Sequence, residues 1–337
     1  MWRSLAFLMM IIVCPAFTQD AGEGVKAKKK IYRWPAGHEG KQRLAVKSLG
    51  ATSSGAVGYE TEGYRFYSDA QISKQDWRSI MIVCEGLRGA MLALPLDLLR
   101  DGSAGASRRG TVRLFADEES YHQAGGLEAT VGTYSPRGGE VLIWTKGLIE
   151  PDPQRDRFQL SKARQFDLLV HELAHQATGG EFRRLPTWFS EGVAEYMAAA
   201  HFAPGRYSFK DPTGAIRMHV KKYLDDVAQR DRFGIVSLQT LVRLDGHSWA
   251  ENTRNGEGYG PFLKYVSAVL LVHYFCHLDP ERNHGEVVRN FVGALRAGNP
   301  ASRATVEKLL RGRSLKEIEA VIEKFWQAKG LRVEFRG

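Results

Sequence analysis

The chain has 337 residues, of which 43% are hydrophobic and 25% are charged, and its formal net charge is +9. About 280 residues follow the N-terminal segment, which is enough to bury a full core. No later segment has the roughly 18 consecutive apolar residues of a membrane-spanning helix, which excludes a stable membrane span. Apart from residues 26–30 the basic side chains are dispersed. Because nucleic-acid-binding motifs are also missing from the sequence, we predict no nucleic-acid partner.

The N-terminus has the pattern of a secretory signal peptide. A basic start at Arg3 is followed by an apolar run, Leu5–Val13, and then by small residues. This pattern predicts a cleaved signal over residues 1–18 and a secreted or periplasmic protein. Residues 19–57 are rich in glycine, lysine and serine, which predicts a flexible basic arm with at most one weak strand.

A mixed α/β lobe is predicted over residues 58–158. Apolar alternation, capping residues and turn residues give these elements in chain order: a strand at Tyr64–Tyr67, a helix from Ser73 to Leu87, a strand at Thr111–Phe115, and a hairpin of Val131–Tyr134 with Glu140–Trp144. Two interpretations of the last strand remain open. It forms either the rim of a cleft, where an extended peptide docks by strand addition, or an interior strand.

The segment 159–337 is predicted to be mainly helical, and its last helix is predicted to begin at a capping box, Ser314–Glu317, and to run through Ala328. The most informative motif, His171-Glu172-Leu173-Ala174-His175, lies near the start of this segment. Apolar residues at helical spacing predict a helix around it. Histidines at positions i and i+4 lie one turn apart on one face, so one Zn²⁺ can accept a nitrogen from each at roughly 2.0–2.1 Å. Glu172 is offset around the helix, where it reaches a metal-bound water rather than the metal. The spacing therefore predicts an H-E-x-x-H zinc site.

A catalytic zinc usually has three protein ligands and one open position. The candidates for the third ligand are Glu181, Glu191, Glu195 and His201. We expect Glu181 to be a solvated loop charge and His201 to lie at the surface. A second short helix is predicted after Pro186, and Glu191 and Glu195 lie one turn apart on it. If Glu191 binds the metal, Glu195 is placed to accept the free ring N–H of a ligand histidine.

The motif H-E-L-A-H, followed by W-F-S-E-G-V-A-E-Y at residues 188–196, resembles the gluzincin zinc metallopeptidases. Within that group it is most similar to the secreted peptidase-MA-like proteins. The resemblance implies an α+β, zincin-like fold with a mixed α/β N-terminal lobe and a helical C-terminal lobe. It is strong over residues 160–200 and diffuse from about residue 60 to 330.

The resemblance also implies roles for individual side chains. His171, His175 and Glu191 are the expected ligands of one Zn²⁺ per chain. Glu172 is the expected general base. Glu195 is the expected carboxylate that orients a ligand histidine.

A tyrosine on a later helix is expected to stabilise the oxyanion, with Tyr265 the first choice and Tyr259 the second. Tyr265 is equally consistent with a core aromatic whose hydroxyl lies at the rim.

Two departures from related zinc peptidases limit which of them the chain resembles. Thr178 stands where a metzincin would have glycine and no third histidine follows, which argues against metzincins. The aminopeptidase strand G-x-M-E-N has its nearest counterpart in Gly89–Leu92, which lacks the glutamate, so exopeptidase activity is in doubt.

Three cysteines are present, and Cys14 is expected to leave with the signal peptide. Cys84 and Cys276 remain, both beside apolar residues. In an oxidising compartment they are able to form a disulfide, and two separate buried thiols are the equal alternative.

The motifs together predict a secreted zinc-dependent peptidase whose partner is a peptide or protein substrate. Two alternatives belong to other classes. One is a non-catalytic binding or scaffold protein that keeps a peptidase-like core. The other is a zinc hydrolase that acts on a non-peptide amide, because an activated water attacks many carbonyls.

Overall fold

The structure is a computed structural model that describes residues 32–337, except for positions 54, 100–108, 129, 152–157, 161–165, 180–183, 225–231, 255–259, 282 and 299–302. The predicted signal peptide, residues 19–31 of the predicted arm, Glu181 and Tyr259 therefore lie outside the described residues.

The strands form one six-stranded sheet and three small sheets. In chain order they are β1 (Gly37–Glu39), β2 (Lys47–Ala51), β3 (Val57–Glu60), β4 (Tyr64–Ser68), β5 (Gly110–Phe115), β6 (Gly132–Ser135), β7 (Glu140–Trp144), β8 (Ile149–Pro151), β9 (Phe158–Leu160), β10 (His201–Ala203), β11 (Arg206–Ser208), β12 (Phe233–Val236) and β13 (Val333–Arg336). In the small sheets β11 pairs with both β1 and β10, β12 pairs with β13, and β8 pairs with β9.

Most of the α-helices in the described residues lie after residue 166. In chain order the helices are α1 (Lys74–Ala93), α2 (Glu118–Gln123), α3 (Asp167–Ala177), α4 (Thr187–Ala200), α5 (Pro212–Leu224), α6 (Leu238–Leu241), α7 (Gly246–Arg254), α8 (Leu263–His273), α9 (Glu286–Arg296), α10 (Arg303–Leu310) and α11 (Leu315–Ala328). The capping residues predicted for two of them are confirmed. Ser73 accepts from the backbone N–H of Asp76, and Ser314 forms a reciprocal capping box with Glu317.

The large sheet has the order β2-β3-β4-β5-β7-β6. Strands β4, β5 and β7 are parallel to one another, and β6 pairs antiparallel with β7 as the predicted hairpin. Strand β7 thus lies inside the sheet and β6 forms its edge. The interpretation of Glu140–Trp144 as a cleft rim is wrong. This strand pairs with β5 on one side and with β6 on the other, so it has no free edge to which a peptide could add.

One face of this sheet packs against α1 and α3. Phe66, Val112 and Val141 point into that layer and are fully buried, as strand alternation requires. On the opposite face α2 covers Phe115 and Leu142 through Tyr121. The main apolar cluster extends from Tyr64 in β4 to Phe335 in β13. It includes side chains from both of the predicted lobes and places α3 between the sheet and the later helices.

The architecture is mixed α and β, compatible with the α+β class. Ordered structure begins earlier than the predicted boundary at residue 58, because β1 pairs with β11 and β2 pairs with β3. Cys84 and Cys276 are both buried and both thiols are free, so the alternative of separate thiols is the one observed. Within the described residues, no helix is both long and apolar enough to cross a membrane.

A buried ion pair holds the end of α8 to the loop before α11. The Asp279 carboxylate, with a side chain 0% exposed, accepts two hydrogen bonds from Arg313 at 2.7 and 2.8 Å. Burial by itself raises the pKa of Asp279, and the Arg313 guanidinium outweighs burial and holds that pKa below its ordinary value.

We expect Asp279→Ala to lower the free energy of unfolding by roughly 3 kcal/mol, because it leaves Arg313 partly buried without its partner. Since the pKa of Asp279 is lower in the folded state, the difference from wild type is complete above about pH 4 and disappears as the pH falls through the folded pKa. Urea unfolding at pH 7 and pH 3 measures both. Glu281→Ala, in an exposed pair with Arg311, is the control and should cost at most about 1 kcal/mol. Equal losses for the two variants would contradict the assignment.

Candidate metal centre

Helices α3 and α4 bring three potential metal ligands to one point. His171 Nε2 lies 3.1 Å from His175 Nε2, and Glu191 Oε2 lies 3.2 Å from the first and 3.4 Å from the second. In the part of the chain that the structure describes, this is the only group of three such side chains that is close enough to hold one ion. The two histidines come from successive turns of α3, and α4 packs directly against that face.

The spacing of the three atoms fits a tetrahedral ion. Ligands at 2.0–2.1 Å from zinc, at tetrahedral angles, lie roughly 3.3 Å from one another. The three observed separations are within about 0.2 Å of that value. The donor set of two imidazoles and one carboxylate is also one that zinc accepts in catalytic sites.

Each histidine ring is oriented through its other nitrogen. His171 Nδ1 lies 3.0 Å from Glu195 Oε1, and His175 Nδ1 lies 3.2 Å from Ser190 Oγ. Both partners are on α4. Holding Nδ1 in this way leaves Nε2 of each ring for the shared point, which is how outer hydrogen bonds orient metal-ligating histidines.

Glu172 lies beside the three ligand atoms but is not one of them. Its side chain faces the same cavity, and its Oε2 accepts a hydrogen bond from the backbone N–H of Tyr134 in β6 at 2.7 Å. Burial raises the pKa of Glu172 above that of an ordinary glutamate. A carboxylate with a raised pKa is a better proton acceptor near neutral pH.

The electrostatics of the site favour a positive charge at its centre. Burial by itself lowers the pKa of His171, and the nearby carboxylates of Glu191 and Glu195 outweigh it and hold that pKa well above the ordinary value. Burial by itself raises the pKa of Glu191, and His175 and His171 outweigh it and bring that pKa to about 2. A positive charge at this point, either a proton on His171 or a cation between the ligands, stabilises these carboxylates.

A cavity of about 300 Å³ opens in front of the ligand group. Its apolar wall residues come from α7, α8, the segments on either side of β6 and the segment before α4: Leu127, Pro136, Leu185, Trp249, Ala250 and Tyr265. The Tyr265 ring lies 6.1 Å from the His171 ring, centre to centre. The structure therefore places Tyr265 at the cavity wall beside the ligands.

Two features hold Tyr265 in place. Gly192 of α4 packs against the backbone of α8, where an added Cβ would lie 2.5 Å from the carbonyl oxygen of Ala268. A larger residue would push α8 away. Lys264 is fully buried, donates to the backbone oxygen of Trp249 at 2.5 Å, and lies over the Trp249 and Tyr265 rings. Burial lowers the pKa of Lys264 to about 8.

His201 does not join the site, and its predicted surface position is wrong. It is 9% exposed in β10 and packs against Phe166 and Tyr207, while the neighbouring Phe202 is 60% exposed. Pairing of β10 with β11 turns the histidine inward. Burial lowers the pKa of His201 to about 4.

Several side chains at the site were missed by the sequence analysis. His219 and Tyr223 of α5 both contact Glu195, and Ser190 contacts His175. The role of Ser190 could have been considered from the sequence, because it directly precedes Glu191 on the helix predicted after Pro186. His219 and Tyr223 had only their i, i+4 spacing, which does not show what the helix packs against.

Comparison with known proteins adds no relative to this description. A scan against models of protein families found no match, and a search of curated proteins found none either.

Proposed function

We propose that the protein is a secreted zinc-dependent peptidase with a two-lobed, zincin-like fold. The observation that carries the proposal is the arrangement of His171, His175 and Glu191, whose ligand atoms have the spacing of a tetrahedral zinc site. The adjoining carboxylate of Glu172 and the open cavity supply what a hydrolase needs besides the metal. The predicted signal peptide supports action outside the cytoplasm.

A zinc ion held by these three side chains would acidify a water molecule and polarise the scissile carbonyl. Glu172 accepts one proton from the attacking water as its oxygen bonds to the carbonyl carbon. When the carbon–nitrogen bond breaks, the same carboxyl group returns the proton to the leaving amine. One water is consumed, and a carboxylic acid and an amine are formed. The hydrogen bond from Tyr134 N–H keeps the Glu172 carboxylate at the cavity wall throughout.

Tyr265 supplies the oxyanion donor in this proposal. Its ring stands at the cavity wall next to His171, held by the close packing of α8 on α4. We expect Tyr265→Phe to lower kcat about 100-fold, which corresponds to about 3 kcal/mol for one oxyanion donor. Zinc content should not change, because the hydroxyl is not a ligand. Steady-state kinetics with parallel metal analysis checks this, and an unchanged kcat would assign Tyr265 to packing alone.

The substrate is proposed to bind along β6. This strand ends the large sheet, and Gly132, Thr133 and Tyr134 line the cavity. An extended peptide that adds to a sheet edge lies alongside the edge strand and forms backbone hydrogen bonds with it. On β6 the peptide backbone would pass directly in front of Glu172.

Digestion of casein and of a peptide library, with and without a chelator, tests the proposed function. We expect cleavage that the chelator abolishes and zinc restores. A protein that binds zinc but cleaves no peptide would instead support hydrolysis of a non-peptide amide or a binding role. Cleavage that the chelator does not affect would contradict a metal-dependent mechanism.

A further inference from the structure

The carboxylate of Glu195 is the most heavily bonded group near the metal centre. Its side chain is 3% exposed, and three donors surround it. His171 Nδ1 lies 3.0 Å from Oε1, His219 Nε2 lies 2.5 Å from Oε2, and the Tyr223 hydroxyl lies 3.0 Å from both oxygens. A buried carboxylate is stable only with such donors. With the donors in place, it has a single orientation.

Two of these three donors come from α5, which contributes no metal ligand. His219 and Tyr223 are four residues apart and therefore lie on one face of that helix. This face packs against α4, the helix that carries Glu195. Helix α5 thus supplies two of the donors to the Glu195 carboxylate, and His171 of α3 supplies the third.

The contacts continue from His219 back to the zinc-ligand helix. Asp167 Oδ2, in the first turn of α3, lies 3.7 Å from His219 Nδ1, which is within ion-pair range but beyond a hydrogen bond. The same carboxylate contacts the ammonium group of Lys222 on α5. The contacts therefore run from α3 through α4 and α5 back to the start of α3, in a closed ring of which Glu195 is one member.

The two ligand histidines differ in the groups that orient them. His175 is oriented by the Ser190 hydroxyl, a neutral group, whereas His171 is oriented by a charged carboxylate that is itself fixed. If the carboxylate rotated freely, the His171 ring would have other orientations available. Fixing the carboxylate therefore preorganises His171 Nε2 for the metal.

We propose that His219, together with Tyr223, is a positioning residue of the metal centre, which tightens metal binding by holding Glu195 against His171. The proposal rests on the proposed function only in that the centre binds zinc. Helix α4 fixes where the backbone of Glu195 lies, whereas His219 and Tyr223 fix the orientation of its carboxylate. Zinc affinity therefore reports the positioning role, and the stability of the metal-free protein reports what the same hydrogen bonds contribute to the fold.

The test compares zinc affinity in His219→Leu, His219→Gln and Tyr223→Phe, measured by competition with a chromophoric chelator. Leucine removes the donor, whereas the glutamine amide replaces the donor at Nε2. We expect about a 10-fold weaker zinc affinity for His219→Leu and Tyr223→Phe, at the low end of what outer partners contribute, and near wild-type affinity for His219→Gln.

The melting temperature of each metal-free variant separates positioning from folding. His273→Leu is the matched control, since His273 is also fully buried and contacts α5 through Thr213, two turns of α8 beyond the cavity. It should lower the melting temperature without changing zinc affinity. Unchanged affinity in His219→Leu, while the wild type binds zinc, would overturn this inference alone. A wild-type protein that binds no zinc would overturn the proposed function along with it.

Discussion

Glu172→Gln is expected to abolish turnover and leave the metal in place. The glutamine has nearly the same shape and still fills the position beside the Tyr134 N–H, but it does not accept a proton. General-base catalysis contributes about 10²–10⁴-fold, so kcat should fall by at least that range. Zinc content should equal that of the wild type, because Glu172 is outside the ligand group.

The pH dependence of the wild type provides a second readout. Burial raises the pKa of Glu172, so the base is protonated and inactive at the acid end of the profile. The rate should rise with pH along a limb that lies above the ordinary glutamate pKa of about 4.3. Any residual activity of Glu172→Gln should lack this limb. Glu62→Gln, an exposed glutamate paired with Lys41, is the control and should behave as wild type. A fully active Glu172→Gln protein would contradict the general-base role.

Glu191→Ala and Glu195→Ala are expected to differ in metal binding. Glu191 supplies one of the three ligand atoms, so its removal leaves two histidines and stoichiometric zinc should be lost. Of the three ligand residues, Glu195 contacts only His171, at Nδ1, and its removal should weaken zinc binding by about 10–100-fold. Equilibrium dialysis against buffered zinc measures both. The reverse order would show that the two carboxylates have exchanged roles.

Zinc affinity should also depend on pH in a stated direction. In the absence of metal the carboxylates of Glu191 and Glu195 outweigh burial and hold the pKa of His171 well above its ordinary value, so zinc must displace a proton. Affinity should therefore rise with pH through the neutral range. In Glu195→Ala, which keeps a weaker zinc site, the proton on His171 is held less firmly, so zinc titrations of this variant should show a shallower pH dependence than those of the wild type.

The parts of the site that the sequence predicted are those set by local spacing. His171 and His175 face the same way because four residues make about one helical turn, and Glu191 and Glu195 follow the same rule on the next helix. The capping residues Ser73 and Ser314 also acted locally, so the starts of α1 and α11 were predictable.

The parts that were missed depend on which elements pack together. The hairpin of β6 and β7 was predicted, but not that β7 pairs with β5 and leaves β6 at the edge. His219 lies 24 residues after Glu195 and meets it only because α5 returns across α4. In β10 the observed burial is the reverse of what hydrophobicity would predict, since the polar His201 is buried and the apolar Phe202 is exposed.

Metal analysis of the zinc-saturated and dialysed protein shows whether His171, His175 and Glu191 hold one ion. We expect one zinc per chain in the wild type and none in the double variant His171→Ala/His175→Ala, with both proteins folded by circular dichroism. A folded wild-type protein that retains no zinc, or a double variant that retains as much as the wild type, would contradict the proposed metal centre.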